Sequence, residues 1–422
     1  MSDRQRIAVV GSGVAGLTAA WLLSRRHEVT LLERDPRVGG HTRTLKVPDG
    51  PDRGTPVDTG FIVMNHRNYP LFTRVLEQLR VELRDSDMSF SWHDPASGFA
   101  WCGTNLRGLF ATPSSLLSPA HWGMIRDILR FNRQADADLA AGIPSSTTLG
   151  DYVRRHALGA AFRDRYLYAM GSAIWSSPPD GLDAFPARAF LHFFKNHGLL
   201  SVNDRPQWRY VAGGSTTYIG EMRKAFAHEP AVNAGVRAVV RQGDAVRVVL
   251  HDDRVMTFDQ VVLAAHADES FALLDAPTAD ERALLGAWRY QPNEVVLHWD
   301  DAVMPSRGAA WASWNFCAEP GVGGDQPVSV SYHMNRLQRL QTQRQYYVTL
   351  NRRLPLDPAK VIDRTVLTHP VYDVPALDSQ ARLPSLNGPG RVWFCGSYFG
   401  YGFHEDAVRS AVDLAKAFHI EL

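Results

Sequence analysis

The apolar positions of the N-terminal stretch RIAVVGSGVAGLTAAWLLSRRHEVTLLERDPRVGGHTRT, residues 6 to 44, fall into three blocks. Ile7 to Val10 is a continuous apolar run of strand length, Leu17 to Leu23 is the body of a helix apolar on every face, and Val29 to Leu32 is a second strand-like run. Strand, turn, helix and strand in that order predict a βαβ unit with a buried helix. The pattern is interrupted and then resumes. YVAGGSTTYIGEMRKAF (210 to 226) opens an amphipathic helix on a glycine pair, and residues 235 to 267 alternate with period two around turns at 242 to 244 and 252 to 253 before the apolar strand Val261 to Ala265. Near the end, WFCGSYFGYGFHEDAVRSAV (393 to 412) joins a strand over Val392 to Cys395 to a glycine-aromatic loop, and that loop to a helix start. Between these blocks, SPAHWGMIRDILRFNRQ carries Ser118 as N-cap, Pro119 in the first turn, and Trp122, Ile125 and Leu129 on one face. NEVVLHWD and PVSVSYHM read as strands.

The turn of the first unit carries chemistry. Gly11, Ser12, Gly13, Val14, Ala15 and Gly16 form G-x-G-x-x-G: Gly11 permits the tight turn, Gly13 lets the backbone approach a pyrophosphate, and Gly16 lets helix pack on strand. The helix N-terminus at Val14 and Ala15 offers unpaired amides to an anion. Glu33 closes the second strand at the offset expected of a carboxylate that accepts from a ribose hydroxyl. These features predict a dinucleotide site. Arg34 follows, then the glycine pair Gly39 and Gly40 and the donors His41, Thr42 and Arg43, so a second turn can return the chain to the same nucleotide.

Composition narrows the class. At 422 residues, 45% hydrophobic and 21% charged, the chain can bury sizeable cores in two domains. A formal net charge of +1 without basic or acidic runs argues against nucleic acid as partner. Cys102, Cys317 and Cys395 are odd in number and widely spaced, which indicates neither a disulfide framework nor a metal site and fits a cytoplasmic location. The nucleotide unit starts by Arg6, leaving no room for a signal peptide, and no apolar run is long enough to span a bilayer. The sixteen histidines form no helical metal-binding pair.

Gly11, Gly13, Gly16, Glu33, Gly39, Gly40 and Arg43 together resemble the FAD-binding segment of the flavin-containing amine-oxidase superfamily. That resemblance implies an α/β fold of the amine-oxidase and glutathione-reductase kind, with a Rossmann-type FAD-binding domain (1–60, 210–290, 386–422) interleaved with an α+β substrate domain (61–209, 291–385). It also implies flavin contacts from Gly60, Phe61 and Ser397, a backbone pairing of Val236 with adenine, a turn at Gly396, and a crossing loop over Tyr398 to Phe403 with Phe403 at the cofactor. The helix start at Glu405, Asp406 and Ala407 would present amides to the pyrimidine edge of the isoalloxazine, with the two acids also readable as ordinary helix caps. Relatives that hold FAD covalently use a cysteine shortly before the last strand; residues 369 to 391 contain none, so non-covalent FAD is expected.

A closer resemblance runs through DTGFIVMNHRNYP, DSDMSFSW, GSAIWSSP, FFKNHGLL, RPQW, AWASWN, YHMNRLQ and HPVYD. These are similar to flavoproteins that accompany, or are fused to, cyclopropane-fatty-acid-synthase-type lipid methyltransferases. The resemblance implies oxidation of membrane-lipid acyl chains, unsaturated, methyl-branched or cyclopropanated, by hydride transfer to flavin N5, with such a methyltransferase as partner. Alternatives are a polyene, squalene-like or amine substrate, or a flavin-binding partner of the methyltransferase with little turnover of its own. Two departures from the amine oxidases bear on catalysis. Glu294 stands where they carry a lysine near N5, and Tyr401 offers one wall of their aromatic cage without a clear second. Glu294 in a greasy cavity would be a base of raised pKa, or else a glutamate paired with an arginine. His404 is the second base, or else a satisfied core histidine. Trp175, Phe193, Phe194, Trp208 and Trp314 either line a lipid tunnel or form ordinary core. The stretch 104 to 130 sets Leu106, Leu109, Phe110, Leu116 and Leu117 beside Arg107, Arg126 and Arg130, an expected peripheral contact with the inner face of the cytoplasmic membrane.

Overall fold

A computed structural model describes residues 4–144, 146–201, 205–319 and 328–422. The first strand, Arg6–Val10, lies between two parallel neighbours, Glu28–Leu32 (Ile7 opposite Val29) and Gln260–Leu263 (Val9 opposite Val262), and Val392–Phe394 extends the sheet beyond the latter. A parallel strand covered on both faces has no polar side, which is why its pattern is continuous rather than alternating. The helix Val14–Leu23 is buried along its whole length because it is wedged between this sheet and the last helix, His404–Ala417. That last helix is amphipathic and turns Ala407, Val408, Ala411, Val412, Leu414 and Ala415 inward.

The second sheet has seven strands in the order Val361–Val371, Arg289–His298, Tyr347–Leu350, Ser329–His333, Trp314–Cys317, Phe90–Asp94 and Phe99–Cys102. All its pairings are antiparallel except that of Trp314–Cys317 with Phe90–Asp94. A three-stranded meander over Val236–Gln242, Ala245–Leu250 and Val255–Phe258 completes the sheets that shape the site. Helices Pro119–Ala141, Leu149–Arg155, Tyr168–Trp175 and Ala187–Asn196 pack around Phe131, Phe162, Phe190 and Phe194.

Three of the aromatics suggested for a tunnel belong to this core. Trp175 packs on Phe185 and Phe193 at ring-centroid distances of 4.9 and 4.6 Å, and Phe194 stacks on Phe190 at 4.4 Å. Only Trp208 and Trp314 reach the cavity described below. Among the described residues, no helix is long and apolar enough to cross a membrane, and no group of histidine, cysteine or acidic side chains is arranged to hold a metal.

Candidate flavin site

A cavity of about 670 Å³ runs from the carboxyl ends of the parallel strands to the seven-stranded sheet. Its floor is the glycine turn. Gly11 adopts φ +98°, which a side chain would strain, and a Cβ there would lie 2.9 Å from the Ala264 carbonyl oxygen. A Cβ on Gly16 would fall 1.9 Å from the Gly11 carbonyl oxygen, so helix and turn touch backbone to backbone. Gly13 differs: its φ is −62°, and a Cβ would meet nothing within 4 Å. Its missing side chain leaves open cavity at the N-terminus of a helix, where a pyrophosphate fits and where unpaired amides favour negative charge.

Other lining groups converge on the same strip. Glu33 is buried and accepts from the Ser12 amide at 2.9 Å, from the Ser12 hydroxyl, and from the Asp35 amide at 2.9 Å, which fixes the carboxylate at the strand end. Arg34 pairs with Glu269 at 2.8 Å. The second glycine turn lies on the first, a Cβ on Gly40 being 3.2 Å from the Gly13 Cα. Arg37 braces that turn, donating to the Gly40 carbonyl at 2.9 Å and the Thr42 carbonyl at 3.3 Å. Val236, Gly60, Phe61, Gly396, Ser397, Phe403 and Ala407 also line the cavity, as do Val14, Ala15, Gly39, His41 and Thr42.

Of the five histidines that line the cavity, His41, His266, His369 and His404 have their pKa values lowered by burial, which favours the neutral imidazole. His404 stacks on Phe61 at 3.7 Å and meets the Thr42 hydroxyl at 3.1 Å and the Tyr218 hydroxyl at 3.3 Å; burial pushes its pKa down to about 3. His41, His266 and His369 form a cluster with centroid separations of 5.8 Å (His41 to His266) and 5.4 Å (His41 to His369), and Tyr290 stacks on His266 at 4.3 Å. Burial and then the neighbouring imidazoles hold His41 well below its ordinary value, and burial pushes His369 to about 4. His369 Nδ1 lies 3.0 Å from the Ser176 hydroxyl and 3.2 Å from the Asn293 amide nitrogen.

The family profile described as flavin containing amine oxidoreductase matches residues 14–418. The chain belongs to the flavin containing amine oxidoreductase family. It is therefore an FAD-dependent oxidoreductase, and the open cradle at Gly13, the strand-end carboxylate of Glu33 and the helix N-terminus at Val14 fit that cofactor. Among solved structures, a putrescine oxidase superposes with a TM-score of 0.71 at 16% identity, and a fatty acid isomerase from P. acnes that produces CLA with 0.69 at 15%, each over 99% of both chains. Those likenesses show the fold alone. An L-amino-acid oxidase of Crotalus adamanteus is 47% identical over 49 residues, 11% of this chain and 10% of that protein, so the chain spans about a tenth of that relative's length. A carotenoid phi-ring synthase of Streptomyces griseus is 35% identical over 150 residues, 32% of this chain and 27% of that protein.

Several positions expected at the flavin lie elsewhere in this oxidoreductase. Glu294 is 42% exposed and pairs with Arg364 at 3.0 Å; the strand turns Val295, not Glu294, into the cavity. Its carboxylate is therefore held at the surface by an arginine and does not reach the cavity. Glu294→Gln is expected to leave flavin content unchanged and to change the rate of flavin reduction by less than about twofold, against the roughly hundred- to ten-thousandfold of a positioned acid–base group, as stopped-flow absorbance would show. Arg43 is also diverted: its guanidinium makes a two-pronged pair with Asp363 at 2.9 and 3.0 Å and does not line the cavity. Tyr401 packs edge-on against Phe193 at 6.3 Å outside the cavity lining, so it is not a cage wall. Glu405 accepts from the amides of Leu71 and Phe72, and Asp406 from those of Tyr401 and Phe403. Their side chains cap helices; at the start of the last helix His404 and Ala407 line the cavity and the two acids do not. Conversely, Arg37, Tyr218, His266, Tyr290 and His369 belong to the site and are absent from the sequence reading.

Proposed function

We propose that this enzyme dehydrogenates an apolar, long-chain substrate, with membrane-lipid acyl chains as the class. The observation that carries the proposal is the distribution of charge around the cavity. Its carboxylates, Glu33, Asp35 and Glu269, and its guanidiniums, Arg34 and Arg37, all sit along the nucleotide strip. The remaining wall includes Ile62, Met88, Ile174, Trp314, Val348 and Leu350. An alkylammonium there would lose its hydration without a carboxylate in return, whereas a methylene chain gains about 0.8 kcal/mol per buried CH₂. A structural neighbour that is a fatty acid isomerase and a partial relative that is a carotenoid phi-ring synthase support an apolar substrate.

Bound FAD supplies the two-electron acceptor for such a reaction. The chain supplies position and exclusion. The apolar wall aligns a flexible chain and keeps water out, while the imidazoles of His404 and of the His41, His266 and His369 cluster, whose protonation burial disfavours, offer hydrogen-bonding nitrogens without carrying charge into the cavity. The sequence resemblance to partners of lipid methyltransferases fits a substrate first alkylated by such an enzyme.

Anaerobic mixing of the FAD-loaded protein with extracted phospholipid in detergent, with putrescine, and with L-amino acids tests the proposal. Bleaching of the flavin absorbance is expected with the lipid and not with the amines. Bleaching by putrescine or an L-amino acid, with none by lipid, would overturn it.

A further inference from the structure

The surface over residues 104 to 129 has a composition unlike the rest. Leu106 is 76% exposed, Leu116 54%, Leu117 89%, Trp122 49% and Leu129 54%; these are five of the eight exposed large apolar side chains among the described residues. They are held up by local structure rather than left loose. Asn105 caps the turn Leu106–Leu109, accepting from the Gly108 amide at 2.8 Å, and Ser118 caps the long helix Pro119–Ala141. Between them the 3₁₀ turn Pro113–Leu117 is fixed to that helix by the Trp122 indole N–H, which donates to the Leu116 carbonyl at 2.9 Å. The structure corrects the expected membership of this face. Leu109 and Phe110 are half-buried, Phe110 packing on His121 and Trp122, and Arg130 is tied to the carbonyls of His156 and Ala157. Trp122 and Leu129 take their place.

The electrostatics of the face are one-sided. No aspartate or glutamate occurs between Asp94 and Asp127, and Asp127 is itself buried. Arg107 is exposed beside Leu106, and Arg126, although paired with the buried Asp127 at 3.5 Å, keeps a 75% exposed side chain. Next to Leu106 a cleft of about 250 Å³ is lined by Thr104, Asn105, Arg107, Trp311 and Arg336, which brings two guanidiniums to one small polar recess. Exposed leucines and a tryptophan, ringed by arginines and lacking acids, match an interface with apolar depth and anionic head groups. The strand that leads into the face, Phe99–Cys102, is the edge of the seven-stranded sheet, two strands from cavity-lining Trp314.

We infer that this face docks the enzyme on an anionic phospholipid surface, with Leu106, Leu116, Leu117 and Trp122 inserted and the Arg107–Arg336 cleft seating a lipid phosphate. The inference rests on the lipid-substrate reading only for its purpose; the surface chemistry stands by itself. The test is co-sedimentation of the FAD-loaded protein with vesicles of phosphatidylglycerol or of phosphatidylcholine. Wild type is expected to pellet with phosphatidylglycerol at low salt and at least about tenfold less with phosphatidylcholine. Leu106→Asp with Leu117→Asp should lower pelleting by at least about tenfold, with flavin content and thermal unfolding unchanged. Arg107→Gln with Arg336→Gln should erase the preference for phosphatidylglycerol. No pelleting of wild type, or pelleting indifferent to the leucine variant, overturns the docking face. A wild-type dimer that Leu117→Asp converts to a monomer assigns the face to a second copy of the chain instead. A preference that survives the arginine variant overturns the phosphate cleft. Bleaching of the flavin by detergent-dispersed phospholipid, measured alongside, keeps a failure of docking separate from a failure of the substrate proposal.

Discussion

Gly13→Val is expected to yield a folded but colourless protein. At φ −62° and ψ 175° the backbone of residue 13 suits any L-amino acid, and a Cβ finds no protein atom within 4 Å. Folding therefore loses at most about 1 kcal/mol, the difference between glycine and a branched residue at a helix N-cap. The isopropyl group instead occupies the strip where the nucleotide approaches the helix N-terminus, and it keeps the pyrophosphate from the amides. The measurement is flavin absorbance of the purified variant together with its thermal unfolding in the absence of FAD. Retention of a full flavin complement would show that the dinucleotide does not cross this turn.

Gly16→Ala should fail in the opposite way. Three residues along the same motif, the added methyl carbon would stand 1.9 Å from the Gly11 carbonyl oxygen and 3.1 Å from the Ala264 Cβ. Neither neighbour is a flexible side-chain tip, so relief requires moving the helix Val14–Leu23 off the parallel sheet. Overpacking of that kind costs about 3 kcal/mol or more. The helix is buried on all sides, so the displacement spreads into the last helix as well. Loss of soluble protein, or a markedly lower unfolding temperature even with excess FAD, is the expected result. A variant as stable as wild type would mean that the contact between turn and helix relaxes at little cost.

Legibility from sequence tracks how local the determining physics is. The first βαβ unit reads off the chain because its turn, helix and strands are contiguous, so residue types and period agree within thirty or so positions. The last helix start is legible for the same reason. Arg37 is a nearer miss: it lies two residues before Gly39, and a cation beside a glycine turn is a signal, but nothing local says that its donors close back on Gly40 and Thr42. Glu294 fails on phase. The alternation of its strand is visible in the sequence, but which face meets the cavity is settled by pairing with Val361–Val371 and Tyr347–Leu350, and that pairing turns Val295 inward. The histidine cluster is least legible. His41 follows the second glycine turn, His266 follows the strand Gln260–Leu263, and His369 sits near the end of Val361–Val371; only the register that sets Gln291 opposite His369 and Tyr290 opposite Pro370 gathers them. Arg43 has the right chemistry for a phosphate and a nearer claimant in Asp363, a residue far away in sequence.

The parallel sheet takes its fourth strand from Val392–Phe394, and the helix that follows supplies Ala407 to the cavity and, through Glu405, caps the helix Pro70–Gln78. Synthesis on the ribosome must therefore run through the whole substrate-facing sheet before the nucleotide pocket has its last wall. The early βαβ unit emerges with its helix apolar on every side and nothing yet to cover one of them. For most of translation that surface needs shelter, from a chaperone or from early docking against the strand Gln260–Leu263, and loading of the cofactor becomes a late event in the life of the nascent chain.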